Sequence, residues 1–139
     1  MSHQLWSLWH MRVINKDPRV TDQLLEELCR RIARENTMDL RANDLYFERA
    51  AFILMAGHPE MIKRRWIERI IENQNNDGGW RDPWYFFGST GQWGHLSSSN
   101  SHSTMLALWA LYRVRYVYSE QFGLPGIQAG DRNTHSYPY

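Results

Sequence analysis

The 139 residues hold sixteen Lys and Arg against fifteen Asp and Glu, a formal charge of +1 that gives no overall field for recruiting nucleic acid. No apolar run approaches the roughly eighteen residues of a membrane span, and the single cysteine, Cys29, excludes an internal disulfide and a Cys-rich zinc site. The length suits one domain that buries roughly two thirds of its unfolded surface, and the lack of a charged and apolar leader predicts a soluble, unprocessed, cytoplasmic chain.

The first predicted helix covers about 4–14, with Leu5, Leu8 and Trp9 on neighbouring turns, and stops before Asn15, Asp17 and Pro18. Thr21 reads as the N-cap of a second. There Leu24, Leu25, Leu28 and Ile32 form an apolar stripe, and Glu26, Glu27, Arg30, Arg31 and Arg34 make a wet face. Asn43 or Asp44 caps a third helix running through Met55 and ended by Gly57 and Pro59. Apolar all round from Ala50 to Ala56, it reads as an interior helix.

A fourth helix, about 60–73, sets Ile62, Trp66, Ile67, Ile70 and Ile71 against Lys63, Arg64, Arg65, Glu68, Arg69 and Glu72. The last, about 101–118, carries Met105 to Leu111 as one apolar block and reads as buried on most sides. From the second helix on, one-faced and all-round apolar helices alternate. Stacked helical hairpins require that alternation, although an ordinary five-helix bundle also contains buried helices. The helical domain is expected over 1–122, interrupted by a loop at 75–101, with an irregular tail at 123–139.

The fourth helix runs into "QNNDGGW", Gln74 to Trp80. Gln74 can satisfy groups left open at helix ends, Gly78 and Gly79 permit positive φ, and Trp80 can seal the corner. This stretch, with the later "HSTMLALWAL", resembles the QW-type repeat of the terpenoid cyclase and protein prenyltransferase superfamily. The resemblance implies an α/α toroid of alternating outer and inner helices, here a partial barrel because the chain has about half the helices of a full one. It also implies an apolar, isoprenoid-like ligand. The Asp-x-Asp-Asp motif of class II cyclases and the metal-binding Asp-x-Cys of prenyltransferase β subunits are absent, so neither family's catalytic residues carry over.

Two sets of candidate site residues follow. If the starts of the buried helices converge at one mouth, Asp44 and Glu48, four apart on one helix face, meet His102 there. That set suits a general acid and base pair, and capping or ion pairing is the plainer alternative. Trp80, Trp84, Tyr85, Phe86 and Trp93, with His95, are candidates for lining an apolar or carbohydrate cleft under the loop, or for packing beneath it. His95 and His102 sit in a Ser-rich stretch without fixed geometry, so no metal and no cofactor is assigned. The expected partners are an apolar small molecule and either a second copy or a larger assembly in which tail and loop dock on another chain.

Overall fold

The computed structural model describes residues 1–40, 42–81 and 99–124. Among them are five α-helices and no strand: α1 (Ser2–Val13), α2 (Asp22–Met38), α3 (Asp44–Met55), α4 (Arg64–Glu72) and α5 (Ser101–Tyr112). The expected all-α class is therefore what forms. No helix among the described residues is long and apolar enough to cross a membrane.

The centre of the structure is α3, which packs on α5, α2 and α1. Asn43 caps it by accepting from the Tyr46 amide at 3.0 Å, and all its residues from 50 to 55 are buried. Its end is set by Gly57 at φ +90, where the Gly57 amide reaches back to Leu54 and the His58 amide to Ile53. That pairing is the glycine-terminated helix stop that the sequence announces. Twelve residues are too few for a stable isolated helix. Burial holds it instead: each large side chain among Phe47, Ile53 and Leu54, all at 0% exposure, contributes about 1.5–3 kcal/mol.

The wet helix α2 behaves as its pattern requires. Thr21 accepts from the Leu24 amide at 3.2 Å, Leu25, Cys29 and Ile32 turn inward, and Glu26–Arg30 and Glu27–Arg31 pair at i,i+4 on the outer face. The first helix is held by aromatic contacts more than by an aliphatic stripe. Trp6 stacks on Phe52 with ring centres 5.2 Å apart and meets Trp109 edge-on at 5.4 Å, tying α1 to both α3 and α5.

Three elements depart from expectation. Helix α4 begins at Arg64, not near residue 60, because Pro59 opens a 3-10 turn (Pro59–Met61), after which Ile62 extends and buries its side chain. Beyond Tyr112 the chain winds as a π turn (Arg113–Val117) and then a 3-10 turn (Ser119–Phe122), where one continuous helix was expected. The wider winding has a use: Arg113 Nη2 donates to the Met55 carbonyl at 3.2 Å and the Tyr118 hydroxyl to Leu54 at 3.0 Å. Arg113 thus satisfies a carbonyl at the end of α3 with a cation favoured there by the helix dipole, and Tyr118 adds a second donor to the Leu54 carbonyl that the Gly57 amide already engages. Lastly, α5 is not buried on most sides. Leu106, Ala107 and Ala110 face inward, whereas Met105, Leu108 and Tyr112 stay 51%, 52% and 55% exposed.

Candidate functional site

The turn after α4 closes as a dense knot of hydrogen bonds. Gln74 Nε2 donates to the Gly78 carbonyl at 2.7 Å, the Asn75 amide to Gly79 at 2.8 Å, and Asn75 Nδ2 to Ser99 Oγ at 2.9 Å. Asp77 accepts from the Gly79 amide at 3.1 Å and from the Ser99 amide at 3.0 Å. The Ser99 contacts hold the Asp77 carboxyl below the usual carboxylate range.

Trp80 completes the knot. Its indole N–H donates to the Ile70 carbonyl at 2.6 Å, its backbone N–H to Thr104 Oγ1 at 2.9 Å, and its carbonyl accepts from the Asn100 amide at 2.8 Å. At 1% exposure the ring seals the junction of α4 and α5. Of the two roles open to Trp80 in sequence, packing is the one these contacts describe, and the ring presents no surface to a ligand.

Next to this knot lie the starts of α3 and α5. Asn100 caps α5 by accepting from the Ser103 amide at 2.7 Å, and the buried Ser103 hydroxyl donates to Asp44. The two helix starts therefore do meet, through a serine. Glu48, one turn along α3, is 3% exposed. It faces His3 of α1, whose Nδ1 lies 3.0 Å from Glu48 Oε1. His102 is exposed on the first turn of α5. The acids and imidazole chosen from sequence thus occupy three settings: Asp44 with Ser103, Glu48 with His3, and His102 at the surface. Among the described residues no group of three or more His, Cys, Asp or Glu side chains is placed to hold a metal ion. Trp84, Tyr85, Phe86, Trp93 and His95 lie outside the described residues, as does the tail beyond Leu124.

A largely apolar concavity lies elsewhere among the described residues. A groove of about 350 Å³ runs between α4 and the C-terminal end of α5, lined by Ile67, Ile71, Leu111, Val114, Phe122 and Leu124 together with Arg64, Glu68 and Arg115. Residues 64, 67, 68 and 71 share one face of α4 by their i, i+3, i+4, i+7 spacing. The opposite wall owes its shape to the π turn, which carries Val114 and Arg115. The volume falls at the small end of ligand pockets, which are concave, mostly apolar and edged by a few polar groups.

Comparison of the chain with protein-family models, with curated proteins and with solved structures finds no match. The site is consequently read from its own residues. Sequence reasoning missed the groove, whose walls lie some forty residues apart in the chain, and missed His3, because nothing local marks a histidine of α1 as the neighbour of Glu48. The spacing of Ile67 and Ile71 was the one visible trace of the groove, and there it signals core as readily as a ligand surface.

Proposed function

We propose that this chain is an α/α-toroid-like helical domain that binds an apolar, isoprenoid-like small molecule, and that it acts with a second copy or within a larger assembly. The observation that carries the binding reading is the largely apolar groove between α4 and α5, where Ile71 is left 54% exposed beside Leu111, Val114 and Phe122. Large apolar side chains grouped around a concavity, and not scattered singly, are the usual mark of a site that receives something apolar. The toroid reading is supported by the wet α2, the interior α3 and the Gln74-to-Trp80 corner, whose hydrogen bonds do the work that the QW-type motif does in the family it resembles.

The assembly reading rests on α5. Met105, Leu108 and Tyr112 lie on one face at helical spacing and are about half exposed. A partial barrel would close by covering such a face.

The mouth expected from the sequence, whose aromatic residues lie outside the described ones, is the second place for the ligand. It is favoured by the corner itself: the Asn100-to-Trp80 bond and the Asn75 and Asp77 contacts with Ser99 hold Ser99 and Asn100 against residues 75–80. A neutral fluorescent probe, N-phenyl-1-naphthylamine, separates the two. The groove reading expects saturable uptake that falls at least several-fold in Ile71→Asp and is unchanged in Trp84→Ala with Trp93→Ala. The reverse pattern moves the ligand to the mouth, and no saturable uptake by the unaltered chain removes the binding function altogether.

A further inference from the structure

Beside the corner that follows α4 lies a polar concavity of about 260 Å³, lined by Ala42, Glu72, Asn73, Gln74, Asn75 and Arg81. Two of these residues carry opposite charges, and neither side chain makes an ion pair or a hydrogen bond among the described residues. Arg81 is half-buried, and its Nη1 atom is covered without meeting any acceptor. A buried charged donor left open is costly, so an acceptor is expected there. Going beyond the apolar-binder reading above, we infer that this concavity is a second binding site, for a small free α-amino acid with its carboxylate on Arg81 and its ammonium at Glu72.

Helix polarity and hydrogen bonding select a cation beside Glu72. That residue ends α4, where the negative pole of the helix dipole favours a cation and disfavours a carboxylate standing alone. The three side-chain amides that follow spend their N–H groups on the corner: Asn73 Nδ2 donates to the Arg69 carbonyl at 2.8 Å, Gln74 Nε2 to Gly78 at 2.7 Å and Asn75 Nδ2 to Ser99 Oγ at 2.9 Å. Their side-chain oxygens accept no hydrogen bond among the described residues. The lining therefore offers acceptors around Glu72 and an open donor at Arg81. An α-amino acid matches that division, since its ammonium has three N–H donors and its carboxylate takes a guanidinium in fork geometry. A plain anion would meet Glu72 and the amide oxygens, and a plain cation would meet Arg81. Size sets the class: about 260 Å³ admits roughly eight or nine groups at the ~30 Å³ that a water-sized group occupies. That is the size of L-threonine, and too small for a nucleotide or a peptide.

The test is a calorimetric titration of the full chain at neutral pH with L-threonine, with N-acetyl-L-threonine, which lacks the ammonium, and with L-threoninamide, which lacks the carboxylate. It is repeated on Glu72→Gln and Arg81→Gln. Glu72 is exposed, where the fold tolerates change, so that variant decides alone if Arg81→Gln melts early. L-threonine is expected to bind about tenfold tighter than either derivative, as the loss of one charge-assisted contact implies. Glu72→Gln is expected to bring N-acetyl-L-threonine level with L-threonine, and Arg81→Gln to bring L-threoninamide level with it. Either derivative binding the unaltered chain as tightly as L-threonine would overturn the inference, in favour of a plain anion or a plain cation. Saturable L-threonine binding that neither substitution changes would place the ligand elsewhere and overturn it too, as would no L-threonine binding at all. Each of these failures leaves the apolar groove untouched.

Discussion

A Cβ added at Gly79 would lie 2.5 Å from Ser99 Cβ and 2.7 Å from Thr104 Oγ1, closer than real side-chain contacts come. Neither neighbour can move cheaply, because Ser99 is held by Asp77 and Asn75 and Thr104 sits in α5. Gly78 has open space around it and only its positive φ of +85 to lose. Gly79→Ala should therefore cost about 1–3 kcal/mol by overpacking and lower the melting temperature by roughly 3–10 °C, more than Gly78→Ala does. Equal melting temperatures for the two variants would mean that the corner is looser than its hydrogen bonds indicate. At the same scale two acids are buried in their neutral forms. Burial pushes the Cys29 thiol from 9.0 up to about 12, and burial likewise pushes the Tyr46 phenol from 10.0 to about 12. Because both folded values lie above the unfolded ones, their contribution to stability is complete below about pH 9 and is lost as pH rises toward 12. Thermal unfolding followed from pH 8 to 11 should show that decline, with Cys29→Ala flattening part of it. The native thiol should also resist a disulfide reagent at pH 8 until the chain unfolds; immediate reaction in the native state would contradict its burial.

Among the elements, those written by local chemistry were legible. Thr21, Asn43 and Gly57 each mark a helix end with a hydrogen bond or a positive φ fixed within a few residues, and all three act as their sequence context predicts. The Gln74-to-Trp80 corner was legible in outline: Trp80 is buried there and Gly78 takes a positive φ, whereas Gln74 donates to the Gly78 carbonyl inside the turn and not to a helix end, and Gly79 does not take the positive φ expected of it. The misread parts depend on distant partners. The π turn is held where Arg113 and Tyr118 find the Met55 and Leu54 carbonyls, 58 and 64 residues away in the chain. The true start of α4 depends on Ile62 reaching the core, a tertiary demand that overrides helical pattern. In the candidate site the same division holds: that the starts of α3 and α5 meet could be inferred from alternation, whereas the pairing of Glu48 with His3, 45 residues back, could not. An apolar block such as that of α5 fixes no direction, which is why its outward Met105 and Leu108 were read as core.

At the scale of the molecule, α3 is enclosed by its neighbours while α4 and α5 leave apolar surface on their outer sides. Exposed Ile71 beside the groove and exposed Met105, Leu108 and Tyr112 along α5 are costly in water unless a ligand or another chain covers them. The account therefore joins one fold to two kinds of association, a small apolar molecule in the groove and a protein surface on α5. Native mass spectrometry of the protein as purified tests both in a single spectrum, since it reports the number of subunits and any organic mass that travels with them. The account predicts a species of two or more chains carrying extra organic mass, with that mass lost in Ile71→Asp. A bare single chain, with no added mass and no change in Ile71→Asp, would contradict it.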